Sequence, residues 1–354
     1  QQELEEKSED RKSSDEKERI DIITIDRQNR NVRSVGFVWS IILLLVLGGI
    51  GLNSLFNQPP EGSTTTPSYT ITQTPKPLTE TSIPKTFIAT LDATETVVPP
   101  QILDIGSTMV SEKDGMVMVY VPAGEFTMGS DTYPDEQPIH QVNLNAYWID
   151  QTEVTNAMYA KCVEDGGCTL PSSLKSNTHG AYYSNSEFDD YPVIYVDWNQ
   201  ANAYCAWAGR ELPTEAEWEK AARSTDGRKY PWGDTFYVTK VNFCDPNCYG
   251  YWGINSSNDG FADVSPVGNY PDGVSTYGAM DLAGNVWEWV SSVYKSYPYD
   301  EKDGREDLSV SESRVLRGGS WDDMRNVVRS ASRGRSDPTV ASFIVGFRCS
   351  LSHP

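Results

Sequence analysis

The stretch YPVIYVDWNQANAYCAWAGRELPTEAEWEKAAR, residues 191–223, carries two consecutive helices with their start and stop signals written out. Asp197 is placed to cap a helix over residues 198–208, in which Trp198, Ala201, Tyr204, Cys205 and Ala208 fall on one face. Gly209 then stops it. After Pro213, Thr214 and Glu217 stand at capping-box spacing and open a second helix to Arg223.

Further elements are expected upstream. Strand-like alternation runs through residues 117–121, 126–128, 140–144 and 147–149, and Thr155 is set to cap a helix through Glu164 that ends at Gly166 and Gly167. Beyond Pro231, Gly, Asn, Asp and Trp dominate and few regular elements are expected. Residues 107–354 therefore read as one α+β domain with long irregular connections, holding all six cysteines and nine of the ten tryptophans. Six cysteines in an exported segment imply a disulfide framework. Cys162 with Cys168 and Cys244 with Cys248 are local pairs, which leaves Cys205 for Cys349. Zinc binding by Cys244 and Cys248 is the competing reading, and it ranks lower because no second Cys/His pair stands at ligand spacing.

The rest of the chain has a different composition. Residues 1–33 are densely charged and are expected to be disordered or a short solvated helix. Residues 34–60 carry no charge, and the apolar run 35–56 would make about 33 Å of helix, enough to cross a bilayer. A buried core helix and a cleaved signal peptide both fit this run less well. Arg27, Arg30 and Arg33 precede it, which places residues 1–33 in the cytoplasm and everything after the transmembrane helix (34–56) outside the cell. Residues 57–106 are a Thr/Pro-rich stalk, extended at about 3.1 Å per residue and open to glycosylation; Asn255-Ser256-Ser257 is a sequon. The chain starts at Gln1, so a further cytoplasmic domain upstream is expected. With 29 Lys+Arg against 50 Asp+Glu the formal net charge is −21, which argues against a nucleic-acid partner.

Seven segments in order, VPAGEFTMGS (121–130), DQTEVTNAMYAKC (150–162), the opening stretch (191–223), YPWGD (230–234), YGAMDLAGNVWEW (277–289), RVLRGGSW (314–321) and GFRC (346–349), resemble the sulfatase-modifying-factor domain, the family of formylglycine-generating enzymes, here a bacterial-type member. The resemblance covers about residues 108–351. It implies a compact, irregular α+β fold related to C-type lectins and a Cys205–Cys349 disulfide.

Enzymes of that family oxidise a sulfatase Cys to formylglycine with O2 and a copper(I) ion held by two thiolates, soft ligands that suit Cu(I). The resemblance places those two ligand positions, after the Gly-Gly-Ser turn, at Asp323 and Val328, and an active-site Asn at Ile344. Copper is therefore not expected. Ser320 matches the family's active-site serine, so Ser320 and Asp323 are the groove candidates. A second branch uses non-haem iron, for which His140, His179 and His353 are too scattered. The resemblance also implies structural calcium, at Asn242 and Asp259 with the carbonyls of Phe243 and Phe261, and at Asp281 and Glu288 with the carbonyls of Gly284 and Val286. The plainer reading has Asp259 and Asp281 in Asx-turns and Glu288 facing solvent. The acidic run Glu211, Glu215, Glu217 and Glu219 is read as a helix N-terminus rather than a catalytic pair, and Trp287, Trp289 and Trp321 as core rather than a sugar platform. The expected function is a membrane-anchored extracellular sensor or binding module for a peptide, glycan or cell-wall fragment. The alternative is a formylglycine-generating oxidase or a divergent metal-dependent oxidase.

Overall fold

The computed structural model describes residues 103–248 and 258–352. Residues 1–33, the apolar run 35–56, the stalk through residue 102, the sequon at Asn255 and His353 lie outside the described residues; the last stalk residues, 103–106, belong to the folded domain, with Leu103 packed on its core. No helix among the described residues is long and apolar enough to cross a membrane.

Three sheets form the frame. The first joins β1 (Thr108–Val110), β2 (Val117–Val121), β5 (Tyr147–Asp150) and β10 (Ser350–Ser352) in that spatial order, all antiparallel. The second is the hairpin of β3 (Gly124–Met128) and β4 (His140–Leu144). The third runs β8 (Arg333–Ser336), β7 (Arg314–Arg317), β6 (Trp287–Val293), β9 (Val345–Phe347), with β6 and β9 parallel. Most of this third sheet lies where few regular elements were expected. Its central strands β6 and β7 are buried at every residue, so they show none of the alternation that marks a half-exposed strand.

The helices start where the capping residues place them. Thr155 caps α1 (Asn156–Glu164), Asp197 caps α2 (Trp198–Trp207) and Thr214 caps α3 (Glu215–Arg223), the last two with complete capping boxes. Disulfides join Cys162 to Cys168, Cys205 to Cys349 and Cys244 to Cys248. The Cys205–Cys349 bridge spans 144 residues and ties α2 to the turn that feeds β10.

The acidic run opens helix α3, as read, with Glu215 and Glu217 in its first turn. Glu217 completes the cap, accepting from the Thr214 N–H at 2.8 Å. Glu215 and Glu219 point inward and are fully buried. Glu215 accepts from Arg333 on β8 at 2.6 Å and 2.9 Å, and Glu219 accepts from Arg317 on β7 at 2.5 Å, from Arg223 at 2.7 Å and from the Gly129 N–H at 2.8 Å. Burial alone would raise the Glu219 carboxyl; Arg317 and Arg223 outweigh it and hold the group below its ordinary range. Lys220 adds bonds to the carbonyls of Pro122 at 2.7 Å and Gly124 at 2.9 Å. One helix thus fixes the third sheet and the β2–β3 turn together.

Removing one partner of a buried pair strands the other charge. Glu219→Ala is expected to lower unfolding free energy by about 3–5 kcal/mol, because Arg317 and Arg223 lose their shared acceptor. Urea denaturation checks this, and a loss below about 1 kcal/mol contradicts it.

Candidate functional site

The site is built on the turn after β7. Gly318 and Gly319 both have positive φ, 96° and 74°. A Cβ on Gly319 would sit 2.8 Å from Val328 Cγ1 and one on Gly318 would sit 3.2 Å from Trp218 Cζ2, so glycine is required on steric as well as torsional grounds. The turn delivers Ser320 beneath Asp323. The Ser320 hydroxyl donates to Asp323 Oδ2 at 2.6 Å and the Ser320 N–H donates to the same oxygen at 3.0 Å. Trp287 Nε1, from the start of β6, donates to it at 2.8 Å. Ser320 and Asp323 are thus brought together as the sequence reading expects, while Trp287 enters from 36 residues away, a contact no local pattern reveals.

The other copper-ligand position is of a different kind. Val328 is fully buried in an apolar cluster with Tyr230, Val241, Phe243 and Ala283. One position offers a carboxylate already accepting three hydrogen bonds and the other offers no donor atom, so this pair does not fit a linear dithiolate Cu(I) centre. The packing beside the turn is aromatic: Trp321 packs on Phe343 with centroids 5.9 Å apart, and Phe343 lies 6.5 Å from Tyr195, a non-glycine residue at φ 59°. Ile344, at the family's Asn position, packs beside them. Trp287, Trp289 and Trp321 themselves are buried, as core rings.

Behind the groove, the two expected calcium loops abut at a residue that sequence reading missed. Asn285, at φ 56°, accepts from Asn242 Nδ2 at 3.1 Å and the Ser265 N–H at 2.9 Å, and donates to Glu153 Oε1 at 3.1 Å. Its carbonyl receives the Trp321 N–H at 2.9 Å, which links this hub to the groove. Asn242 Oδ1 and Glu153 Oε2 are buried oxygens without a hydrogen-bond partner. Asp259 accepts from the N–H groups of Phe243 at 2.9 Å and Phe261 at 3.0 Å, and burial, with Asp245 nearby, pushes its carboxyl up to about 6.

Glu288 differs from both of its sequence readings. It is fully buried, and both oxygens are taken by Arg348 at 2.7 Å, with Trp218 Nε1 donating to Oε2 at 2.7 Å. It does not face solvent, and its charge is already neutralised. Asp281 accepts from the Gly268 N–H at 2.6 Å and lies against Glu153, whose carboxyl is held well above its ordinary range by burial and by Asp281. Hard oxygen donors with uncompensated negative charge are what calcium takes. The open hard donors behind the turn are Asn242 Oδ1 and Glu153 Oε2, oxygens of the kind such an ion takes, while Glu288 is spent on Arg348.

The histidines do not form a metal triad among the described residues: His140 bonds the Pro138 carbonyl at 2.7 Å and His179 packs on Phe188 with centroids 4.6 Å apart. A separate cavity of about 360 Å³, lined by Arg223, Arg228, Lys229 and Arg329 together with Asp131, Asp226 and Asp234, does not include Ser320 or Asp323.

A mixed α/β, disulfide-bonded fold built around a Gly-Gly-Ser turn defines a protein of the formylglycine-generating-enzyme type. Residues 106–352 match the model of the sulfatase-modifying factor enzyme 1-like domain, and the chain belongs to that family. It is 34% identical over 278 residues to a formylglycine-generating enzyme of Streptomyces coelicolor, covering 65% of this chain and 88% of the relative. It is 33% identical over 278 residues to the inactive C-alpha-formylglycine-generating enzyme 2 of Bos taurus, covering 66% and 87%. Among solved structures, PvdO from Pseudomonas aeruginosa aligns with a TM-score of 0.57 and 25% identity, covering 71% of this chain and all of that one.

Asp322 carries the groove's pH sensitivity. Burial and the neighbouring Asp323 and Asp263 push its carboxyl up to about 7. The folded state then holds a proton that the unfolded state, titrating near 3.8, has released, so stability falls as pH rises through that interval. The thermal midpoint is expected to drop between about pH 4 and about pH 7, and Asp322→Asn to flatten the drop. Parallel slopes in both proteins would contradict the assignment.

Proposed function

We propose that the chain is a membrane-anchored, extracellular ligand-binding or sensor module on the formylglycine-generating-enzyme scaffold that works without copper. The observation that carries this reading is the pair Asp323 and Val328 at the thiolate positions, one fixed by Ser320 and Trp287, the other sealed in an apolar cluster. Overall similarity does not separate the two readings, since an enzyme and an inactive relative match almost equally well. The chemistry of these two positions supports the copper-free reading. The Asp323 carboxylate, flanked by aromatic rings, suits the hydroxyl or ammonium groups of a glycan, a peptide or a cell-wall fragment. The charge-free run 35–56 would anchor the domain, with the arginines before it on the cytoplasmic side. Calcium, held by Asn242, Asp259, Asp281 and Glu153 with the carbonyls of Phe243, Phe261, Gly284 and Val286, would stiffen the loops behind the groove.

Competitive Cu(I) titration with oxygen-uptake measurement on a Cys-containing sulfatase peptide tests the copper-free reading. No stoichiometric binding and no uptake are expected; tight binding with turnover establishes the oxidase instead. Asp323→Cys/Val328→Cys is expected to gain one equivalent of Cu(I), because it supplies thiolates at both of the family's ligand positions.

Saturating Ca²⁺ is expected to raise the thermal midpoint by roughly 5–10 °C over chelator-treated protein, the linkage of one ion at about 100 times its dissociation constant. An unchanged midpoint rejects the calcium assignment.

A further inference from the structure

Cys244 and Cys248 lie against the groove, and Asp322 is what the sequence reading of the pair lacked. The two sulfur atoms and one Asp322 carboxylate oxygen lie within 4.8 Å of one another, although Asp322 is far away in sequence. No other group of three or more His, Cys, Asp and Glu ligand atoms converges this way among the described residues. We propose that Cys244, Cys248 and Asp322 form a zinc site when the Cys244–Cys248 disulfide is reduced.

The donor set suits the metal. Two thiolates and a carboxylate are ordinary zinc ligands, and three protein ligands leave a fourth position for water. The surroundings are acidic, with Asp263 and Asp323 acting on Asp322, so a divalent cation offsets charge there. The loop holds its shape through bonds that do not involve the sulfurs. The Cys244 N–H donates to the Asp323 carbonyl at 2.9 Å and the Cys248 N–H to the Asp245 carbonyl at 3.2 Å. Asp245 in turn accepts from the Asn247 N–H at 2.6 Å and the Asp259 N–H at 3.0 Å. The disulfide closes a separation of 4 residues, against 144 for Cys205–Cys349, so opening it releases little chain. Cys248 is half-buried, which gives a reductant access.

The steps balance with a dithiol as reductant. The dithiol gives two electrons and two protons to the disulfide, yielding two cysteine thiols and its own disulfide. Zinc binding then displaces the two thiol protons. Because Cys244 is bonded to Asp323, the state of this pair is felt in the groove. The inference does not depend on the copper-free reading of that groove.

Cobalt(II) titration of the full chain, before and after treatment with a dithiol reductant, tests it. The reduced protein is expected to show one equivalent of a near-ultraviolet thiolate-to-cobalt band that added Zn²⁺ removes, and the oxidised protein none. Cys244→Ser/Cys248→Ser keeps the other four cysteines and is expected to lose the band under the same reduction, with unchanged circular dichroism. Asp322→Asn is expected to keep the band and weaken binding at least about tenfold, since even outer-shell losses cost that much. No band in reduced protein, a band that survives the double substitution, or unchanged affinity in Asp322→Asn each overturns the proposal.

Discussion

Guanidinium groups buried against carboxylates set the terms for everything else in this domain. Arg305, Arg314, Arg317, Arg333 and Arg348 are among its largest fully buried side chains. A cation moved out of water is tolerable when it is paired or bonded to buried acceptors. Arg333 pairs with Glu215 and Arg317 with Glu219 on α3, Arg348 pairs with Glu288, and Arg314 donates to the Ser291 carbonyl at 2.7 Å, while the Nε–H groups of Arg314 and Arg317 have no hydrogen-bond partner. Arg210 bridges Asp114 and Asp150 in the same way. Each of these links joins segments far apart in the chain. The irregular loops between them are held by directional bonds as well as by apolar area.

The groove inherits its geometry from that lattice. Arg317 is the residue immediately before the Gly-Gly-Ser turn, and Glu288 sits between Trp287 and Trp289 on β6. Anchoring these two fixes both elements that meet at Asp323, whatever side chain occupies the ligand positions. A carboxylate and a valine can therefore replace the thiolates without disturbing the turn. The chemistry of the site and the stability of its frame are carried by different residues, which lets one change while the other stays.

The sequence was legible where the determining interactions are local. The three helices follow from Thr155, Asp197 and Thr214, each capping an N–H three residues on. The third sheet was not legible, because β6 and β7 are buried on both faces and β7 begins and ends in arginine, a residue that ordinarily signals surface. In the site, Ser320 and Asp323 could be named because they flank a recognisable turn. Glu153 and Asn285 escaped notice because their bond joins positions 132 residues apart, and Asp322 because the cysteines it meets are distant in sequence. The placement of Glu288 among calcium ligands came from its position in a motif. Its pairing with Arg348, 60 residues on, decided otherwise.

The first sheet carries a consequence for biogenesis. Strand β10 pairs with β5 at Ser350 against Ile149, and the Cys349 N–H donates to the Asp150 carboxylate across 199 residues. Until that final strand leaves the ribosome, one edge of β5 stays open and Cys205 has no mate. Closure of this domain must therefore wait for β10, an order of events that favours escort of the emerging segment over piecemeal assembly.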